Sequence, residues 1–207
     1  MKNRKIWLDK NNRLGNYEMK IYITRHGQTE WNALGKLQGR KDIELNEVGR
    51  KQAEMTRDKL KNEKVDLIIS SSLKRAKQTA EIINKEFNVD ILEDERLVER
   101  GYGDFEGITK IELKEMKKKD SRIDEACNYI KNISMYNMET MQDLCKRIYD
   151  FLDEITTKYK DENVLIVTHG SASIPIKCYF MKYPLEKLVD REKIKGLENC
   201  EVVEFEI

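Results

Sequence analysis

The sequence contains little cysteine, proline or histidine: four cysteines, two prolines and two histidines occur in 207 residues. The cysteines form no CxxC pair and have no histidine companions at zinc-site spacing, which argues against a zinc knuckle and against a disulfide framework. We therefore expect reduced, mostly buried thiols. These are Cys127, Cys145, Cys178 and Cys200.

The chain also has almost no net charge. The 39 basic side chains against 38 acidic ones leave a net charge of +1. Such a balance provides no overall attraction to nucleic acid or to an anionic membrane, so an anion has to be bound by a local cluster of basic groups. We expect a small partner rather than a nucleic acid or a membrane.

Long apolar stretches are missing as well. No segment reaches the ~18 apolar residues of a membrane span, and the first residues lack the apolar region of a secretory signal. We therefore predict a cytoplasmic protein. Residues 1–18 differ in pattern from the rest of the chain, and we interpret them as an extension: an added hairpin, a disordered leader or an incorrectly assigned translation start. Residues 19–207 are expected to form one domain.

Short apolar runs predict the buried strands of a parallel sheet. They lie at 20–24, 65–69 and 163–168, and each is too short for a helix. A further strand is predicted near Ile91. The alternating segment Glu201–Ile207 has the pattern of a half-exposed edge strand.

Helical patterns occupy the segments between these strands, each behind a potential N-cap. The caps are Ser72 before a helix over 73–87, Thr140 before a helix over 141–155, and Asn46 before a helix that ends near residue 62. Strands that alternate with helices indicate a doubly wound α/β sheet. Residues 100–138 interrupt the alternation, and we interpret them as a helical insertion over the site. Its lysine-rich stretch, 114–119, is typical of a solvated helix face.

Both histidines stand in the same local setting: an apolar run, a threonine, the histidine directly or one residue later, and a glycine. These are His26 before Gly27 and His169 before Gly170. A lone histidine at a strand end is commonly a core or capping residue. Buried parallel strands, however, deliver their last side chains to one edge of the sheet. We therefore expect the two imidazoles to meet in one crevice.

Two arginines are predicted at the same edge. Arg25 precedes the first histidine, and Arg75 lies in the first turn of the helix behind Ser72. A single arginine is more often a surface charge, but guanidinium forks beside the free N–H groups of a helix N-terminus bind phosphate oxygens well. Asn32, and Gln38 with Gly39 on a glycine-spaced loop, supply further polar groups.

This combination predicts phosphoryl transfer. An unprotonated imidazole of His26 is a competent nucleophile toward phosphorus and would form a phosphohistidine. The arginines and a protonated His169 would stabilise the transferred charge without a metal. The leaving alkoxide needs a proton, and Glu99 in a glycine-rich loop is the candidate acid, although most glutamates are simply exposed.

Four ordered motifs resemble the histidine phosphatase superfamily, in the branch of cofactor-dependent phosphoglycerate mutases and related phosphatases. They are RHGQTEWN at 25–32, SSLKRAKQTA at 71–80, LVERGYGDFEG at 97–107 and VTHG at 167–170. The resemblance implies a three-layer α/β/α sandwich with a mostly parallel central sheet, and a phosphohistidine mechanism.

The resemblance also implies site roles. His26 would be the nucleophile, Glu99 the proton donor, and Arg25, Asn32, Arg75 and His169 the phosphate pocket. Gln38, Gly39 and Gly170 are further candidate substrate-binding residues. Two positions depart from the family pattern: Ser171 stands where a second glycine is frequent, and Met138-Glu139-Thr140 replaces Gly-Glu-Ser.

Three activities remain open. A metal-independent phosphatase without a cofactor is favoured, because the compact insertion would let water reach a phosphohistidine. A mutase primed by bisphosphoglycerate is the alternative, and a non-catalytic phosphate-binding module is less favoured because the motif residues are intact. Cysteine-phosphatase, phosphate-loop and GxSxG motifs do not occur, and the arginine beside His26 disfavours a metal ion. The sequence specifies neither the phosphomonoester nor the oligomeric state.

Overall fold

The computed structural model describes residues 5–6, 19–127, 135–184 and 194–207. The strands in this part of the chain are β1 Lys5–Ile6, β2 Lys20–Arg25, β3 Leu67–Ser70, β4 Ile91–Glu93, β5 Val164–Thr168 and β6 Val202–Glu206. The α-helices are α1 Glu30–Ala33, α2 Glu47–Leu60, α3 Lys74–Phe87, α4 Lys110–Lys119, α5 Ser121–Ala126, α6 Met141–Lys158 and α7 Ser173–Phe180. Two short 3-10 helices cover Glu95–Leu97 and Gly103–Phe105.

The strands form one sheet in the order β1-β6-β2-β5-β3-β4. Strands β2, β5, β3 and β4 are parallel, and β6 is antiparallel to β2. Arg25 pairs with Thr168, and Ser70 pairs with Val167. The carboxyl ends of β2, β5 and β3 therefore lie side by side. The predicted strands and the mostly parallel sheet are confirmed.

Helices cover both faces of this sheet, as the apolar character of its strands requires. On one face, β2 and β5 residues such as Ile21 and Ile166 pack with the buried side of α6. On the opposite face, Tyr22 and Leu165 pack with α3. Helix α2 packs mainly on α3. The predicted α/β/α sandwich is confirmed.

Two of the three predicted helix caps are confirmed. The side chains of Asn46 and Thr140 accept hydrogen bonds from the third residues of α2 and α6. The Ser72 prediction is wrong, because the N-cap of α3 is Leu73. The backbone N–H of Lys74 instead donates to the Asp42 carboxylate over 2.7 Å, so a charged acceptor from another loop stabilises the positive end of the helix.

The C-terminal strand has the predicted alternation, with Val203 and Phe205 buried. It is the edge strand of the sheet built by residues 19–207, and the backbone of Lys5–Ile6 pairs along its outer side. The rest of the predicted extension, 1–4 and 7–18, lies outside the described residues. The division into an extension and a single domain stays a prediction.

The predicted insertion contains α4 and α5, which share a small apolar core with Phe105 and Met138. Most of the lysines at 114–119 are exposed, as expected of a solvated face. Residues 128–134 of the insertion lie outside the described part. All four cysteines of the chain are buried and free, as predicted. None of the described helices is long and apolar enough to cross a membrane.

Candidate active site

Strands β2 and β5 place the two histidines side by side. The centroids of the His26 and His169 rings are 5.1 Å apart, and the ring planes are tilted by 56°. The backbone N–H of His26 donates to the carbonyl of Thr168 over 3.0 Å, which continues the pairing of the two strands beyond their last residues. The parallel register therefore brings both imidazoles to one edge of the sheet.

The surroundings of His26 determine which ring nitrogen carries the proton. Its Nδ1 lies 2.7 Å from the carbonyl oxygen of Gly27, and a carbonyl only accepts, so Nδ1 donates. Burial, and then the charges of Arg25 and Arg75, lower the pKa of His26 well below its ordinary value. The neutral ring with its lone pair on Nε2 is the form that a nucleophile requires.

Arg75 is fully buried, and the loop at 39–41 holds its guanidinium group. Its Nη1 donates to the carbonyl of Lys41 over 2.7 Å, and its Nη2 donates to the carbonyl of Gly39 over 2.8 Å. Burial lowers the pKa of Arg75 to about 10, so the guanidinium stays charged at neutral pH. Arg25 is anchored similarly, because its Nη1 donates to the carbonyl of Leu197 over 3.0 Å.

Three buried nitrogens around His26 have no hydrogen-bond partner among the described residues: Nε of Arg25, Nε of Arg75 and Nδ1 of His169. Buried polar atoms are normally satisfied, and a buried unsatisfied donor is costly. A tetrahedral oxyanion carries several acceptor oxygens and a negative charge, which two guanidinium groups favour. Nδ1 of His169 is a donor in the tautomer whose Nε2 accepts the Ser71 hydroxyl. The chemistry of the three nitrogens then fits a phosphate group.

His169 is fully buried, and its Nε2 lies 2.7 Å from Oγ of Ser71. Burial and the charge of Arg75 lower the pKa of His169 well below its ordinary value. The protonated His169 expected from the sequence concerns the ring beside a bound phosphate, and it stays a prediction. Desolvation disfavours a charged ring, and the arginines beside it repel a further cation.

Glu99 lies in the loop after the first 3-10 helix and contacts the N-terminus of α7. Its Oε1 accepts backbone N–H groups from Arg100 over 2.8 Å and from Ser171 and Ala172 over 3.1 Å each. Its Oε2 accepts the Ser171 N–H as well, over 3.1 Å. Ser171 departs from the family pattern, but these contacts use its backbone N–H and do not depend on its side chain. The Ser171 hydroxyl oxygen lies 2.7 Å from the hydroxyl oxygen of Tyr102. The carboxyl group is thus buried in a fixed position.

The other predicted substrate-binding residues lie around the same edge. Oδ1 of Asn32 accepts from the backbone N–H of Thr29 over 3.1 Å, and Gln38 accepts from the Thr29 hydroxyl over 3.0 Å. Both side chains therefore help to hold the loop after His26.

The two predicted glycines, Gly39 and Gly170, lie next to the two arginines of the site. The carbonyl of Gly39 accepts from Nη2 of Arg75 and so fixes that guanidinium. A Cβ on Gly170 would lie 3.5 Å from the Arg25 guanidinium, an ordinary contact distance, so this position adjoins Arg25 without requiring a glycine. The part of the chain that the structure describes contains no group of three or more His, Cys, Asp or Glu residues able to hold a metal ion.

Sequence reasoning missed several residues that support the site. Ser71 contacts His169, Thr79 accepts the Gly27 N–H over 3.0 Å, and Asn199 donates to the carbonyl of His26 over 2.8 Å. Ser71 follows the predicted strand β3, so its position at the sheet edge could have been found. Thr79 is buried on α3 near Ala76 and Ala80. Its place in the helical pattern is that of an ordinary core position, so the sequence does not mark it as a site residue.

Comparison with known proteins gives concordant results. A family model described as histidine phosphatase superfamily (branch 1) matches residues 21–207. The chain is 41% identical over 152 residues to a Bacillus subtilis protein named "Uncharacterized phosphatase PhoE", covering 73% of this chain and 72% of that one. It is 38% identical over 154 residues to a metal-independent phosphoserine phosphatase of Arabidopsis thaliana, covering 72% and 63%. The structure of Bacillus stearothermophilus YhfR superposes with a TM-score of 0.78 at 30% identity, covering 90% of each chain.

Proposed function

Because the chain belongs to the histidine phosphatase superfamily and is a phosphatase, we propose that it hydrolyses small phosphomonoesters through a phosphohistidine intermediate on His26. The observation that carries this proposal is the Nδ1 contact to the Gly27 carbonyl, which leaves Nε2 unprotonated beside two guanidinium groups. A neutral nucleophile within a cationic pocket is what attack on a phosphate dianion requires.

The first step transfers the phosphoryl group to the enzyme. Arg25, Arg75 and Nδ1 of His169 bind the phosphate oxygens, and Nε2 of His26 attacks phosphorus. The P–N bond forms as the ester P–O bond breaks, and Glu99 donates a proton to the departing alkoxide. In the second step a water molecule gives its proton to Glu99 and its oxygen to phosphorus. The P–N bond breaks, and inorganic phosphate leaves.

We propose that this reaction needs neither a metal nor another cofactor. The arginines supply the positive charge that a metal provides in other phosphatases, and they disfavour a cation at the same place. The name of the similar Arabidopsis protein, a metal-independent phosphoserine phosphatase, supports the proposal. Turnover that persists after exhaustive chelation is the expected result.

A phosphoglycerate mutase is the alternative, because both activities use a phosphohistidine. The segment that follows the Glu99 motif, residues 100–138, is short, and we take this to favour access of water to the intermediate. The test is a panel of small phosphomonoesters, assayed for inorganic phosphate with wild type and His26→Ala, beside an isomerisation assay on 3-phosphoglycerate. Phosphate release by wild type alone is expected. Isomerisation without release would indicate a mutase, and no turnover together with no acid-labile label on His26 would indicate a binding module.

We also propose a cytoplasmic location. The support is chemical, because all four cysteines are free thiols, as is usual in a reducing compartment. Fractionation of the native host with an antibody to the chain tests this directly.

A further inference from the structure

Glu139 lies just before α6 and binds the loop that carries Glu99. One carboxylate oxygen accepts the backbone N–H of Gly101 over 3.1 Å, and the Arg147 guanidinium donates to both oxygens, over 2.7 and 2.9 Å. The Glu139 main chain reinforces the contact, because its N–H donates to the carbonyl of Gly101 and its carbonyl accepts from Nε of Arg100. Side-chain and main-chain groups of Glu139 thus converge on the two positions after Glu99.

Arg147 holds the same loop from its other side. Beyond its fork with Glu139, it donates to the carbonyl of Arg96 and, over 3.2 Å, to the carbonyl of Glu99 itself. The pair therefore contacts the backbone before, at and after the proposed acid. Only 9% of the Glu139 side chain and 16% of the Arg147 side chain are exposed, so solvent screens this pair little.

The same carboxylate reaches the loop that supports the phosphate pocket. Nη2 of Arg40 donates to Glu139 over 3.1 Å, and Arg40 lies between Gly39 and Lys41, whose carbonyls hold Arg75. Glu106 makes a parallel link, because its Oε1 accepts the backbone N–H groups of both Arg40 and Tyr102. The acid loop and the arginine-supporting loop are therefore tied together by carboxylates.

We propose that Glu139, through its pair with Arg147, is a positioning residue that holds the Glu99 carboxyl group against the leaving oxygen. This inference rests on the proposed function. A buried ion pair is an inefficient way to stabilise a fold, since hydrophobic residues of similar volume often serve as well. The contacts of the Glu139–Arg147 pair are instead concentrated on the loop that carries Glu99, and the position of this loop determines proton transfer. A shift of about 1 Å at such a group costs on the order of 100-fold in rate.

The test compares Glu139→Gln with wild type on two esters, an alkyl phosphate with a poor leaving group and 4-nitrophenyl phosphate, whose leaving group needs no proton. The quantity measured is kcat/KM, because it reports steps up to formation of the phosphoenzyme. We expect roughly 10- to 100-fold slowing with the alkyl ester and less than about threefold with the aryl ester. Glu81→Gln, an exposed glutamate on α3, is the matched control and should leave both rates unchanged.

A double-mutant cycle separates positioning from a structural role. If Glu139 acts through Glu99, then Glu139→Gln should slow the alkyl ester no further in a Glu99→Gln background. Additive losses, or equal slowing of both esters, would overturn the proposal. Arg147→Lys, which keeps the charge but loses the fork, gives a second route to the same comparison if Glu139→Gln unfolds below the assay temperature.

The outcomes also distinguish this inference from the proposed function. If Glu99→Gln is selective for the alkyl ester and Glu139→Gln is not, only the positioning role of Glu139 is wrong. If wild type hydrolyses neither ester, or if Glu99→Gln shows no selectivity, then the proposed function fails, and the positioning role fails with it.

Discussion

The imidazoles of His26 and His169 lie 5.1 Å apart in a buried pocket that also holds Arg25 and Arg75. They are the only histidines of the chain. Both have a pKa well below the ordinary value of 6.5, chiefly because burial penalises the charged ring and the arginines repel it. Every histidine contribution to the pH dependence of folding therefore originates in this pocket.

Stability should fall as the pH is lowered from 6.5 toward 5.5. In the unfolded chain both histidines bind a proton as the pH falls through about 6.5, whereas the folded rings stay neutral. The unfolded state then binds more protons, so each histidine lowers the free energy of unfolding by up to about 1.4 kcal/mol per pH unit. Urea denaturation at a series of pH values measures this slope.

His169→Asn provides the control for that prediction. His169→Asn removes one of the two histidines whose pKa is lowered, so the slope between pH 6.5 and 5.5 should become shallower by up to about 1.4 kcal/mol per pH unit. An unchanged slope in the variant would show that His169 does not stay neutral in the folded state.

Arg75→Lys should reduce activity much more than it reduces folding yield. Lysine keeps the charge but has no fork, so it cannot hold both loop carbonyls and still present a nitrogen to the phosphate. We expect kcat/KM to fall by about 100- to 1000-fold, as for loss of a preorganised donor. Steady-state kinetics measure the loss. The control is Arg57→Lys, because Arg57 forms a solvent-accessible pair with Asp58, and this variant should keep the wild-type kinetics.

Glu99→Gln tests the proton donor directly. The amide cannot protonate an alkoxide, so hydrolysis of alkyl phosphates should slow by about 100-fold or more, while activated aryl phosphates should slow by less than about tenfold. The measurement is kcat/KM across esters of graded leaving-group pKa. Uniform slowing across the series would show that the proton comes from elsewhere.

Local patterns are sufficient to predict the sheet edge and the residues that meet there. The apolar runs before His26 and His169 are long enough for strands only, and parallel strands with short polar ends bring those ends together. The placement of Arg75 has the same basis, because its helix begins directly after β3.

The supports of the site are less predictable, because they depend on contacts between distant segments. Asp42 replaces the expected Ser72 cap only because the loop at 39–42 folds across the start of α3. The neutral state of His169 depends on burial that no local pattern specifies. The sequence marks Glu139 only within a departure from the family pattern, and its partners Arg147 and Gly101 cannot be identified without coordinates.

Gly39 offers a test of how closely the loop behind Arg75 controls the reaction. Its φ is +50°, and a Cβ there would lie 2.0 Å from Oε1 of Glu106, the atom that accepts the Arg40 N–H. Gly35 also has a positive φ, +66°, but a Cβ there would have nothing within 4 Å. Alanine at either position introduces a backbone strain of roughly 1–2 kcal/mol.

Gly39→Ala should therefore lose at least as much stability as Gly35→Ala, and it should lose much more activity. In Gly39→Ala, Glu106 has to move, and the carbonyl that holds Nη2 of Arg75 moves with the loop, so kcat/KM should fall by at least about tenfold. Gly35→Ala should stay within about twofold of wild type after correction for folded fraction. Thermal melts and kinetics on one ester measure both effects. Equal activity in the two variants would mean that Arg75 keeps its position without the support of this loop.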